Sequence, residues 1–162
     1  AFAFSSGMSA LMCVTRLVKC GERIVTGDDI YGGTSRLLAQ VVPKVGIEVV
    51  NVDMNDLDAV KRAIDSGPTT MVMLESPTNP RLQITDIRRI SEMAHAKGAL
   101  VCVDNSMMAP VFAAPLELGA DIMLESEPVE EGDFLVAEAE LEPLELGEVN
   151  QLEDAFVELI EE

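Results

Sequence analysis

Five short apolar segments, interleaved with stretches of helical spacing, constrain the fold of this chain more than any other feature. The apolar segments are residues 23–26, 47–52, 71–74, 99–103 and 120–124, and helices are predicted at 8–18, 37–42, 56–64 and 86–96. Continuous apolar strands that alternate with helices are typical of a parallel sheet covered on both faces. We therefore predict an α/β fold with a mainly parallel sheet, whose ligands lie at the carboxyl ends of the strands.

Charge divides the chain into two parts. The whole chain has 11 bases, 29 acids and a net charge of −18. Residues 1–126 carry all of the bases and 15 of the acids, whereas residues 127–162 carry 14 acids and no base. We predict a folded domain over 1–126 and an acidic tail over 127–162. So negative a chain lacks the basic face that binds nucleic acid or anionic membranes.

The tail itself shows two weaker patterns. Residues 134–146 mix glutamate and apolar residues in rough alternation, which indicates a strand or coil. The sequence from Asn150 to Glu153 is typical of a capping box at the start of a helix. A short amphipathic helix is predicted after it, with one apolar stripe formed by Leu152, Phe156, Leu159 and Ile160.

Cysteine usage bears on compartment and on metal binding. The chain has three cysteines, Cys13, Cys20 and Cys102, and no CxxC pair. An odd number without paired spacing argues against a disulfide framework or a zinc site. No apolar run approaches the roughly 20 residues that a membrane-spanning helix needs. We therefore expect a soluble protein of a reducing compartment, without a bound metal.

Three positions have the chemistry to hold an anionic, aromatic ligand. Ser6, Gly7 and Met8 open the first helix, where free backbone N–H groups can bind a phosphate. The alternative for this segment is an ordinary serine N-cap. Tyr31, the only tyrosine, stands beside two glycines and can stack on a flat ring, or else belongs to a simple turn.

Asp104 ends the most apolar strand, at 99–103. A carboxylate at this place is costly unless a cation such as a protonated ring nitrogen meets it. The alternative is an aspartate that caps the following turn through its own backbone. Both interpretations remain open from the residues alone.

Five motifs follow one another along the chain: Ser6-Gly-Met8, Tyr31-Gly-Gly-Thr34, Glu75-Ser-Pro-Thr-Asn-Pro80, Val103-Asp-Asn105 and Pro115-Leu-Glu-Leu-Gly-Ala-Asp121. Taken in this order, they resemble the Cys/Met-metabolism family of pyridoxal-phosphate (PLP) enzymes. The 28–33 and 86–99 segments are most similar to the plant cystathionine β-lyases within that family. The resemblance covers about residues 1–124.

The resemblance implies part of a fold-type I large domain, PLP as cofactor and a small amino acid as substrate. It further implies that Tyr31 stacks on the pyridine ring, that Asp104 pairs with its protonated nitrogen and that Asn79 hydrogen-bonds its phenolic oxygen. Gly7 and Met8 would hold the cofactor phosphate through their backbone. The family's activity in this branch is cleavage of cystathionine to homocysteine, pyruvate and ammonia, in tetramers built from dimers.

The pattern departs from the family after Asp121. Where the family continues with His-Ser-Ala-Thr-Lys, this chain has Glu125, Ser126, Glu127, Pro128 and Val129. Ser126 keeps the phosphate-binding serine, but Val129 replaces the lysine that holds the cofactor covalently. No lysine occurs between Lys97 and Glu162. We therefore assign no catalytic residue and expect the chain alone to be inactive.

Three interpretations follow for function. The first is a PLP-dependent carbon–sulfur lyase that obtains its lysine from another chain. The second is a truncated, non-catalytic relative that joins full-length subunits or holds a basic partner through its acidic tail. The third is a shortened gene product whose tail only covers the sheet. The compartment expected from the resemblance is the cytoplasm or the plastid stroma.

Overall fold

A computed structural model describes residues 1–108, 111–126 and 137–141 as a seven-stranded sheet with helices on both faces. The strands are β1 (Phe2–Phe4), β2 (Arg23–Gly27), β3 (Glu48–Val52), β4 (Thr69–Glu75), β5 (Leu100–Asp104), β6 (Ile122–Ser126) and β7 (Ala137–Leu141). The helices are α1 (Gly7–Thr15), α2 (Gly32–Gln40), α3 (Leu57–Asp65) and α4 (Ile87–His95), with short 3₁₀ helices at Val42–Val45 and Leu116–Leu118.

The sheet is mainly parallel, as the sequence predicts. Its strand order is β1-β7-β6-β5-β4-β2-β3. The central pairs, from β3 across β2, β4 and β5 to β6, are all parallel. Only β7 runs against its neighbours, β1 and β6. The carboxyl ends of β2, β4, β5 and β6 therefore meet at one edge of the sheet, where ligands bind in folds of this kind.

Two apolar layers hold the sheet between its helices. Strand residues such as Ile24, Met71 and Cys102 pack with α1 and α2 on one face. Their chain neighbours Val25 and Val72 point to the other face and pack with α3 and α4. Each fully buried Val, Leu, Ile or Met side chain contributes roughly 1.5–3 kcal/mol to stability. The double layer explains why the strands read as continuous apolar runs rather than alternating ones.

Aspartate caps begin two of the helices where the sequence predicts them. The Asp56 carboxylate accepts a hydrogen bond of 2.9 Å from the Ala59 N–H. The Asp86 carboxylate accepts one of 3.1 Å from the Arg89 N–H. Each bond satisfies a backbone donor that the first helical turn leaves without a partner.

The antiparallel edge of the sheet contains one strand that the sequence analysis did not predict. β1 has only three residues and pairs with β7, more than 130 positions later in the chain. β7 falls within the segment 134–146 that was predicted as strand or coil. The predicted helix near Leu152, together with Pro128 and Val129, lies outside the described residues. In the described ranges, no helix combines the length and apolarity required to cross a bilayer.

Candidate functional site

A cavity of about 220 Å³ opens at the carboxyl ends of β5 and β6, beside the first turn of α1. It brings together six of the seven residues that the sequence analysis selected. The residues that line it are Ser6, Gly7, Met8, Leu11, Tyr31, Asp104, Ser106, Leu124, Glu125 and Ser126. Residues separated by 120 positions in the sequence thus surround one space.

The first turn of α1 forms one wall of this cavity. The Ser6 hydroxyl caps the helix by accepting a 3.1 Å hydrogen bond from the Ser9 N–H, and it lies 2.9 Å from the Ser9 hydroxyl. The backbone N–H groups of Gly7 and Met8 occupy the first helical positions, where no intrahelical acceptor exists. The N-cap alternative is therefore realised, and it leaves the N–H groups of Gly7 and Met8 able to bind an anion.

Gly7 is required by the close approach of β6. A Cβ atom added at Gly7 would lie only 2.9 Å from the Ser126 Cβ atom. The last residue of β6 therefore fits against the backbone that opens α1. This contact places the Ser126 hydroxyl, 3.3 Å from the same added Cβ position, beside the helix N-terminus.

Tyr31 lies at the start of α2 with 47% of its surface exposed. Its ring packs over Gly33, where an added Cβ atom would be 2.4 Å from the Tyr31 Cε1 atom. A sulfur atom of Met8 approaches the same point at 2.9 Å. The absence of a side chain at Gly33 therefore leaves room for the aromatic ring at the cavity wall.

Asp104 closes β5 and is half-buried. Its Oδ1 atom accepts a 3.0 Å hydrogen bond from the Ser106 N–H, which is the turn cap that one interpretation predicted. Among the described residues, no donor hydrogen-bonds to Oδ2. One carboxylate can therefore cap the turn and still meet a cationic ring nitrogen, so the two interpretations are compatible.

Asn79 is the selected residue that does not line the cavity. It lies half-buried in the segment between β4 and α4, which contains cis peptide bonds at Ser76–Pro77 and Asn79–Pro80. Its backbone N–H lies close enough to the Glu75 carboxyl to lower the pKa of that group. The role that the resemblance gives to its side chain remains a prediction.

Glu75 is a residue that the sequence analysis missed as a part of the site. It ends β4 directly opposite Asp104 and is 5% exposed. The pKa of its carboxyl is raised to about 7, chiefly by burial. The charges of Asp104 and Asp29 add to the rise, and the backbone N–H groups of Tyr31 and Asn79 oppose it. The detectable signal was an acid at the end of an apolar strand, the same pattern that selected Asp104.

The described residues of the cavity wall include acids but no base. Asp104 and Glu125 are its charged residues, and no Lys, Arg or His is among them. The Glu125 carboxylate accepts a 3.0 Å hydrogen bond from the side-chain amide of Asn105, which is fully buried. The site therefore attracts a cation at Asp104, and it can hold an anion only through N–H and hydroxyl groups. In the part of the chain that the structure describes, no cluster of three metal-ligating side chains is present.

Comparison with known proteins assigns this site to a family. The sequence profile of the Cys/Met metabolism PLP-dependent enzymes matches residues 1–128. The chain is 64% identical over 127 residues to a chloroplastic cystathionine β-lyase of Arabidopsis thaliana. The aligned residues make up 78% of this chain and 27% of that protein. It is 38% identical over 159 residues to the cystathionine β-lyase MetC of Bacillus subtilis, and this alignment covers 96% of this chain and 40% of that protein.

Solved structures show the same fold. The cystathionine γ-lyase of Lactobacillus plantarum, crystallised with L-serine, matches with a TM-score of 0.87 and 36% identity, over 98% of this chain and 40% of the other. The chain thus spans about a quarter to two-fifths of the length of these relatives. The match confirms the predicted fold-type I architecture. From the profile, the identity and the shared fold, we conclude that this chain belongs to the Cys/Met-metabolism family of PLP-dependent enzymes.

Proposed function

We propose that this chain forms the part of a PLP-dependent carbon–sulfur lyase that holds the cofactor ring and phosphate. The proposed substrate is cystathionine, after which the relatives are named, and the proposed products are homocysteine, pyruvate and ammonia. The single observation that carries the proposal is the cavity that joins the N-terminus of α1, Tyr31 and Asp104.

The residues present fit the ring and the phosphate of PLP. The close contact between Gly7 and Ser126 forms a cradle that any larger residue would fill. The exposed face of Tyr31 and the Oδ2 atom of Asp104 offer a stacking surface and an acceptor. PLP, when bound, supplies an electron sink that stabilises negative charge next to the reacting carbon.

The chain's own residues would bind and orient the cofactor. The N–H groups of Gly7 and Met8 and the hydroxyl groups of Ser6 and Ser126 would bind the phosphate oxygens. Asp104 would accept the hydrogen bond of the protonated ring nitrogen, and its negative charge would keep that proton in place. Glu125 would weaken phosphate binding because its carboxylate shares the cavity wall.

The lysine that moves protons in the family is missing from residues 98–162. Without that amine, no described residue of the cavity wall can both hold the cofactor covalently and take a proton from the substrate. We therefore propose that the chain binds PLP without a covalent link and does not catalyse β-elimination by itself.

Binding can be tested with pyridoxine 5′-phosphate, whose alcohol group cannot react with surface lysines. Its affinity for the full chain would be measured by calorimetry. Asp104→Asn is expected to weaken binding about tenfold, because a neutral amide no longer pairs with the ring N–H. Asp58→Asn is the matched control, since Asp58 is exposed on α3 far from the cavity. Absence of binding to the unchanged chain would overturn the proposal.

Catalysis is tested separately with cystathionine and PLP. The full chain is expected to release no pyruvate beyond the rate that PLP gives in the absence of protein. Pyruvate formation above that rate would contradict the proposed inactivity and would show that another group replaces the lysine.

A second candidate function is that of a non-catalytic subunit that joins full-length relatives. Exposed apolar side chains after β5 favour it, since Val111 is 82% and Phe112 is 76% exposed. Such side chains are typical of surfaces that another protein covers. Co-expression with a full-length cystathionine lyase should then give a mixed oligomer on size exclusion, and Phe112→Ser should weaken it. Separate elution of this chain and the full-length lyase would exclude this function. The remaining non-catalytic alternative would then be the binding of a basic partner by the acidic tail.

The plastid stroma is the compartment that we propose. The Arabidopsis and Mimosa pudica relatives are named as chloroplastic. Fractionation of plant cells that express the complete gene would test this assignment, with recovery in another fraction as the contradicting result.

A further inference from the structure

Two segments at the carboxyl edge of the sheet are joined by a reciprocal pair of hydrogen bonds. The first segment, 28–31, follows β2 and contains Tyr31. The second, 75–80, ends β4 and contains Asn79. The Tyr31 N–H donates to Glu75 Oε2 at 2.7 Å, and the Thr78 hydroxyl donates to Asp29 Oδ2. Each segment thus supplies one carboxylate to the other.

These carboxylates and the hydroxyl are almost completely buried. The exposed fractions are 6% for Asp29, 5% for Glu75 and 5% for Thr78. A buried carboxylate is costly unless its hydrogen bonds compensate for lost hydration. In the described residues, the cation nearest to this pair is Arg81, 3.7 Å from Asp29 Oδ1 and 61% exposed. Two acids are therefore buried at this position, where apolar side chains would carry a smaller cost of desolvation.

We propose that Glu75 is a positioning residue that holds the backbone of Tyr31 against the segment 75–80 and thereby keeps the Tyr31 ring at the wall of the cavity. This inference rests on the proposed function of the cavity. Glu75 is not among the described residues that line the cavity. Its carboxyl accepts the 2.7 Å hydrogen bond of the Tyr31 N–H, and Glu75 itself begins the segment 75–80 that contains Asn79. One side chain therefore ties the backbone of Tyr31 to that segment.

The charge of Glu75 changes in the neutral pH range. Its carboxyl faces Asp104 from β5, Asp29 and Asp28 from the segment after β2, and the exposed Arg81 beyond Asp29. Burial, with the charges of Asp104 and Asp29, raises its pKa to about 7. A carboxylate is a stronger acceptor than a carboxylic acid. The hydrogen bond to the Tyr31 N–H should therefore strengthen as the pH rises through this range.

The single tyrosine allows a direct test in the protein without cofactor. The chain has one Tyr, so selective ¹⁵N-tyrosine labelling gives one backbone amide signal, that of the bond donor itself. We expect this signal to titrate with a midpoint near the Glu75 pKa of about 7. Glu75→Gln should abolish the titration, and Glu92→Gln, an exposed change on α4, should leave it intact. A flat wild-type profile, or the same titration in Glu75→Gln, would overturn the proposal.

Affinity for pyridoxine 5′-phosphate separates this inference from the proposed function. Glu75→Gln should weaken binding about fivefold, the effect of about one lost hydrogen bond. Thr78→Val removes the hydrogen bond between Thr78 and Asp29 and leaves Glu75 in place. It should weaken pyridoxine 5′-phosphate binding while the amide signal of Tyr31 still titrates. If the unchanged chain binds nothing, the proposed function fails, and the amide titration still decides whether Glu75 holds Tyr31. If all variants bind equally well, the positioning role is wrong and the proposed function stands.

Discussion

Gly33 shows how a single missing side chain shapes the site. An added Cβ atom would lie 2.4 Å from Tyr31 Cε1, so Gly33→Ala should push the ring away from the cavity. We expect pyridoxine 5′-phosphate to bind at least about tenfold more weakly, since a stacking surface is lost. Gly32→Ala is the matched control, because no atom lies within 4 Å of its added Cβ. Tyrosine fluorescence during titration would measure both, and equal affinities would refute the packing argument.

Glu75 also links stability to pH. Its pKa is about 7 in the folded chain and near the ordinary 4.5 when unfolded. The folded state therefore binds the proton more tightly, and the stability gained from that proton is complete below pH 4.5 and lost as the pH rises through 7. Relative to Glu75→Gln, which does not titrate, the wild type should lose about 2 kcal/mol of unfolding free energy between pH 5 and 8. Urea unfolding at both pH values measures this, and parallel profiles would contradict it.

At the scale of elements, the helix caps make the clearest prediction. Asp86→Ala removes the acceptor of the Arg89 N–H and should lower the unfolding free energy by about 1 kcal/mol. Asp86→Asn keeps a side-chain oxygen at the same place and should cost much less. Denaturant unfolding of the two variants compares them directly, and equal losses would show that charge rather than the cap is responsible.

Elements whose determinants are local could be predicted from the sequence. The five parallel strands and the Asp56 and Asp86 caps depend on residues within a few positions of each other. β1 could not be predicted, because its three residues acquire a partner only from Ala137–Leu141 at the far end of the described chain. Glu75 carried a local signal as an acid at the end of an apolar strand, but its partner Tyr31, 44 positions earlier, could not be identified from that signal. Six residues of the cavity were predicted because the order of the five motifs matched a known family. That resemblance implied a common site for residues that are distant in the sequence.

At the scale of the whole molecule, β7 connects the start of the chain to the rest of the sheet. It pairs on one side with β6 and on the other with β1, whose Phe2 and Phe4 pack against the core beneath α1. Without β7, the edges of β1 and β6 would both be unpaired. A chain shortened to residues 1–126 should therefore lose the docking of β1 and expose the edge of β6.

The comparison that isolates β7 uses two shortened chains, 1–126 and 1–141. The shorter should unfold at lower urea concentration than the full chain and aggregate at concentrations where the full chain does not. The longer retains β7 and should recover most of the difference, although it lacks eight of the tail's acids. Identical midpoints for 1–126 and 1–141 would mean that β7 contributes nothing to stability. Because α1 follows β1 directly and opens the cavity, loss of β1 docking should also weaken pyridoxine 5′-phosphate binding in the shorter chain alone.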